Sequence, residues 1–139
     1  MSGESDLTLL IRNLSPFRHP GEYVFCVLPE ERTWIGLEPV ATFREEEGLT
    51  LVLEKQQAEA AGLKYDFPSA WITLRVQSKL SAVGLTAAVS TALARAGIAC
   101  NMFAGFHHDH IFVPVEEAER VISILTVLAN RRGFDDHSS

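Results

Sequence analysis

Residues 71–115 read WITLRVQSKLSAVGLTAAVSTALARAGIACNMFAGFHHDHIFVPV, and this stretch decides the fold. Ile72, Leu74 and Val76 alternate with Thr73, Arg75 and Gln77, which predicts a strand with one buried and one polar face. Leu85, Val89, Ala92, Leu93 and Ala96 follow helical spacing, and Gly97 closes that helix. Ile98 to Phe106 predicts a second strand and His107-His108-Asp109 a turn. His110 to Val115 returns as a third strand, rich in β-branched and aromatic residues and stopped around Pro114, so the two strands pair as a hairpin. Ala118, Val121, Ile122, Leu125, Leu128 and Ala129 then share one face of a closing helix. Glu116 and Glu117 at its start, with Arg131 and Arg132 at its end, suit the helix dipole.

The same order appears upstream. Val40 to Arg44 and Leu49 to Leu53 predict a hairpin around Glu45-Glu46-Glu47-Gly48, where the glycine supplies backbone freedom. A helix from Glu54 through Ala58 and Ala61 ends at Gly62-Leu63. Phe43 to Leu53 and Phe106 to Val115 are therefore related patterns of strand, polar turn and strand, each leading into a helix. Before them, Leu7, Leu10, Ile11 and Leu14 predict a short helix over 5–14 with Ser5 as its N-cap. Ser15 to Glu22 reads as turns, Tyr23 to Leu28 as a buried strand closed by Pro29, Glu30 to Arg32 as a solvated loop, and Lys64 to Ser69 as a linker. Two repeats follow, 1–66 and 67–139. Units this small are marginal alone, so they must pack together.

Composition narrows the function. The chain has 139 residues, 47% of them hydrophobic and 22% charged, the balance of a folded soluble protein. Twelve basic residues stand against eighteen acidic ones, a net charge of -6 without a basic block. Nucleic acid and anionic membranes are poor partners for such a chain. Cys26 and Cys100 lie in apolar runs, far from any second cysteine at metal-ligand spacing, and read as buried free thiols. The first ten residues carry Glu4 and Asp6 in place of a basic signal segment, and no apolar run approaches about 18 residues, which points to the cytoplasm.

Strand, helix, hairpin and helix, with a final strand missing or borrowed, is the ferredoxin-like arrangement, so the fold class is α+β with two such repeats. Val83-Gly84-Leu85-Thr86 opening the helix, Leu93-Ala94-Arg95-Ala96-Gly97-Ile98 closing it, Asn101, and the hairpin into His110-Ile111-Phe112-Val113-Pro114-Val115 resemble an ACT domain. The whole chain, especially Trp34-Ile35-Gly36-Leu37-Glu38-Pro39 through Gly48-Leu49-Thr50, is similar to small stand-alone bacterial proteins with two ACT domains in tandem and no defined function. Two departures stand out. Val83-Gly84 replaces the Pro-Gly often found at the helix opening, and no helix is evident between Tyr23–Leu28 and Val40–Arg44, so the first repeat is either permuted or exchanges a strand with the second.

The resemblance implies a regulatory module that binds a small molecule, an amino acid, without catalysis or cofactor. It also implies a homodimer, sites between subunits or repeats, and a protein partner of unknown identity. Independently, a helix opening with free N–H groups attracts a carboxylate, and glycine at Gly84 lets a ligand approach. Asn101 offers donor and acceptor, flanked by Met102 and Phe103. The expected ligand-binding set is Val83, Gly84, Leu85, Thr86, Asn101, Met102 and Phe103; the alternative is that Gly84 eases a turn and Asn101 satisfies local backbone. Trp34 either completes a pocket or packs in the core.

Two rivals carry different chemistry. One is an oligomerisation or docking module without a ligand. The other is a metal site on His107, His108, Asp109 and His110, weakened because neighbouring side chains in a hairpin project to opposite faces. Phosphate-binding loops, nucleophile elbows and helix-borne metal motifs are missing, and Glu45-Glu46-Glu47 reads as a solvated face, so no catalytic residue is assigned.

Overall fold

The computed structural model describes residues 6–28, 36–76 and 83–138. The expected loop at Glu30 to Arg32, the Ser5 cap, Trp34 and Gln77 lie outside them. By its contacts the chain divides into Pro20–Ala70 and a second unit made of Met1–His19 with Trp71–Ser139.

In the unit of 20–70, β2 (Tyr23–Leu28), β3 (Ala41–Glu45), β4 (Gly48–Glu54) and the first half of β5 (Asp66–Arg75) lie in the order β3-β4-β2-β5. Cys26 stands opposite Leu51 and Val24 opposite Leu53. Directly opposed residues share a face, and these four join Leu28, Ala58 and Leu63 in one buried cluster. The expected hairpin forms between β3 and β4. Its Gly48 has φ +147°, and a Cβ there would come within 2.9 Å of the Leu28 carbonyl oxygen, so no other residue fits without a shift. Helix α2 (Lys55–Ala60) ends as expected: Leu63 N–H donates to the Ala58 carbonyl at 2.9 Å and Gly62 N–H to Glu59 at 3.1 Å. That pair of bonds satisfies the last carbonyls while Leu63 buries its side chain.

The expected linker Lys64–Ser69 is corrected by β5, which already begins at Asp66. Tyr23 pairs with Ser69 and Phe25 with Asp66, leaving one extra residue on β5. The bulge absorbs Pro68, which cannot donate to a ladder, and Phe67 takes φ +57° there. Ser69 Oγ donates to the Tyr23 carbonyl at 2.9 Å beside it. Proline marked the wrong feature: a bulge, not a break.

The other unit holds β1 (Ser15–Arg18), the second half of β5, α3 (Leu85–Arg95), β6 (Asn101–Ala104), β7 (Asp109–Pro114) and α4 (Ala118–Ser138), preceded by α1 (Asp6–Arg12). Its strand order, β1-β5-β7-β6, is the ferredoxin-like one, with the final strand supplied by the start of the chain. The turn expected over Ser15–Glu22 is therefore corrected at its first four residues, which pair Ser15 with Arg75 through Arg18 with Ile72. Pro16 hid this strand from a propensity reading, yet an edge position tolerates it. The second strand is shorter than expected, Asn101–Ala104 in place of Ile98–Phe106, because Gly97 N–H to Ala94 and Ile98 N–H to Leu93 still belong to the close of α3.

Arg18 reaches Glu119 of α4 at 3.1 Å, so the β5 face that carries Ile72 and Leu74 is the helix side. Both residues are fully buried, as are Ile111, Val113, Val89, Leu93 and Leu125. No helix among the described residues is long and apolar enough to cross a membrane.

Leu93→Ala should cost about 2–5 kcal/mol in chemical denaturation, the range for a large-to-small change in a closed core. Removal of residues 1–19 takes away the partner of Ile72–Arg75 and should abolish the cooperative unfolding transition; an unchanged transition would show that this unit closes without β1.

Candidate functional site

Gly84 caps α3 with φ +102°, a conformation that favours glycine. The first bond of the helix runs from Ala88 N–H to the Gly84 carbonyl at 2.9 Å. The amides of Leu85, Thr86 and Ala87 come before it, with no capping side chain and no partner among the described residues. Leu85 is buried and anchors the turn, Thr86 is exposed, and Val83 exposes 86% of its surface. Leu7 of α1 lies over Gly84, its Cδ2 2.9 Å from where a Cβ would stand. The opening thus presents donors without a partner among the described residues, an exposed valine and the side chain of Leu7.

Asn101 is exposed and begins β6, opposite Phe112 near the end of β7. From the helix that follows β7, Arg120 donates to the Ala96 carbonyl at 3.0 Å. Asn101 therefore lies toward the C-terminal end of α3, whereas Gly84 opens its N-terminus. Eleven helical residues separate the two ends, roughly 16 Å at the α-helical rise. One unit does not bring Gly84 and Asn101 together. Met102 and Phe103 are half-buried beside Asn101, and Phe103 meets Phe112 edge to face at 5.6 Å between centroids.

On the β5 face away from α4, the polar residue expected at the surface is closed in: Thr73 is only 5% exposed. Its Oγ1 lies 2.7 Å from His19 Nε2 and 3.0 Å from His110 Nδ1. Trp71 Nε1 also reaches His110 Nδ1, at 3.1 Å, and the His19 ring stacks on the Trp71 ring at 3.5 Å. An indole N–H only donates, so His110 Nδ1 must present its lone pair. Thr73 then donates to the same nitrogen and accepts from His19 Nε2–H, the one assignment that satisfies every contact. Burial holds both imidazoles below the usual histidine range, helped for His19 by the nearby His110 and Arg75 and for His110 by His108. His19, Trp71 and Thr73 were not singled out from sequence. The available signal was the alternation of Trp71, Thr73 and Arg75 on one strand face.

The histidine turn does not converge. His110 is turned to Thr73 and Trp71, the His107 and His108 rings stand 6.5 Å apart, and no group of three or more potential ligands gathers among the described residues. Burial pushes the Cys100 thiol up to about 11, which keeps it protonated and a poor nucleophile near neutrality.

ACT domain models match residues 2–70 and 66–127. The chain belongs to the ACT domain family. A protein of unknown function from Vibrio cholerae is 47% identical and has a TM-score of 0.82, over 92% of this chain and 99% of that one. A second similar structure, a protein from Agrobacterium tumefaciens, is 19% identical with a TM-score of 0.67, over 84% of this chain and 89% of that one. The regulatory subunit of aspartate kinase from Thermus thermophilus, in its ligand-free form, is 12% identical with a TM-score of 0.62, over 81% of this chain and 95% of that one. At those lower identities the likeness shows the fold alone. Among curated proteins none matches the chain significantly.

The unit of residues 1–19 and 71–139 carries a pH signature. Histidines held below their unfolded value of 6.5 give stability that is full above it and lost as pH falls through the folded values. Asp109, raised mainly by burial, acts in the opposite sense and favours the fold at lower pH. The melting temperature should fall between pH 7 and 5 in the wild type and fall less in His19→Gln/His110→Gln; equal slopes would place the dependence elsewhere.

Proposed function

We propose that this ACT protein is a regulatory module without chemistry of its own. It binds an amino acid at the opening of α3 and reports occupancy through its contacts with a second copy and a further protein partner. The observation that carries this reading is the pair of ACT matches running in tandem from residue 2 to 127. The amides of Leu85, Thr86 and Ala87, without a partner among the described residues, supply the matching chemistry, since a helix opening favours a carboxylate. The regulatory role of the Thermus subunit agrees with it. The free thiols Cys26 and Cys100 suit a reducing cytoplasm.

An amino-acid head group is far shorter than α3, so a ligand held by both Gly84 and Asn101 takes them from two copies. The homodimer belongs to the site in this reading: Val83 to Thr86 come from one protomer, and Asn101, Met102 and Phe103 from its partner. Symmetry would then build two equal sites.

Melting temperature against the twenty amino acids at millimolar concentration tests the reading. A ligand at about a hundred times its dissociation constant adds roughly 2.7 kcal/mol, a shift of several degrees. Gly84→Asp and Asn101→Ala should each abolish the shift. Mixing the two variants should restore about a quarter of the sites, because half the dimers are mixed and each mixed dimer keeps one intact site. A flat panel from folded protein would favour the docking module.

A further inference from the structure

A cavity of about 530 Å3 opens where α1, the end of β5 and the β6–β7 turn meet. Leu9, Leu10 and Asn13 line it from the helix side, Arg75 and Val76 from the strand, and His108 from the turn. Among the described residues the lining holds one permanent cation and neither aspartate nor glutamate. Arg75 is placed by packing, its guanidinium carbon 3.9 Å from the centroid of the Phe17 ring. The ion pairs formed among the described residues, Arg18 with Glu119 and Arg120 with Glu117, leave it without a carboxylate. A planar cation held in place beside a hollow, with no counter-ion among the described residues, suits a carboxylate, which a guanidinium binds with two parallel hydrogen bonds.

The remaining lining sets the rest of the ligand. Leu9, Leu10 and Val76 form an apolar wall suited to a short aliphatic chain, and Asn13 adds a carboxamide donor. His108 Nδ1 is closed off from solvent without a partner. Buried N–H groups are rarely left orphaned, so in its neutral form the ring keeps a bare lone pair there and holds its proton on Nε2. An α-ammonium group beside Arg75 meets a like charge, and the described lining offers it neutral acceptors but no carboxylate. The chemistry favours an acid without an amine.

We propose that this cavity is a second ligand site, separate from the opening of α3, and that it takes a small aliphatic monocarboxylate, such as a branched 2-oxo acid. The carboxylate sits on Arg75 and the tail against Leu9, Leu10 and Val76. It does not depend on amino-acid binding at Gly84.

The test is a calorimetric titration of the full chain with 4-methyl-2-oxopentanoate. Wild type should bind saturably in the millimolar range or tighter, and Arg75→Gln should weaken binding about tenfold or more. Arg75→Lys, which keeps the charge, should retain part of the affinity, and Leu10→Trp, which fills the hollow from α1, should abolish it. The uncharged 4-methylpentanamide should not bind, leucine should bind less tightly, and Gly84→Asp should bind like wild type. Absence of saturation in folded wild type, equal affinity in Arg75→Gln, or tight binding of the amide would overturn the proposal. Loss of binding in folded Gly84→Asp would overturn the separateness of the two sites.

Discussion

Strand β5 runs ten residues, and neither β1 nor β2 alone spans it. Pairing with β2 takes Asp66 to Ser69, and pairing with β1 takes Ile72 to Arg75. An unpaired run of buried amides and carbonyls costs far more than a chain detour, so the chain start must return to β5. Each ferredoxin-like unit thereby obtains its fourth strand: one from the first half of β5, the other from β1. The bulge at Phe67 and Pro68 belongs to the same constraint, since it lies within the segment that β2 pairs.

The alternation of β5 then sorts its chemistry. Ile72 and Leu74 go to the helix side, while Trp71, Thr73 and Arg75 go to the other face. Thr73 is closed in there, and a buried hydroxyl without partners is unfavourable. His19, Thr73, His110 and Trp71 meet the requirement as a chain of donors and acceptors with a fixed direction. Burial is the first reason that both imidazoles resist protonation, and for His110 a proton on Nδ1 would also face the indole N–H. Arg75, at the end of the alternation, stays exposed and keeps its charge available.

Legibility in the sequence follows from how local each signal is. Tyr23–Leu28, the two hairpins and α3 are set by periodicity and by glycines whose positive φ the structure requires, such as Gly48. The ACT resemblance rests on these features, and both units carry the fold. Strand β1 was hidden because four residues containing Pro16 show no period, and its existence depends on a partner more than fifty residues away. The first half of β5 was hidden by Pro68. Gly84 and Asn101 each stand where the pattern put them, at the opening of α3 and the start of β6. Their separation follows from the direction of α3 between them, which spacing along the chain does not reveal.

Helix α1 ties these features together. At seven residues it is too short to be stable alone, so its order derives from packing, chiefly on α4 and also on α3. Leu7 covers Gly84, and one turn further Leu9, Leu10 and Asn13 form a wall of the Arg75 cavity. The packing of α1 on α4 and α3 therefore fixes two features at once, the cover of the helix opening and one wall of the cavity. A helix this short contributes little order of its own, so both depend on the apolar side chains that dock it and not on its hydrogen bonds.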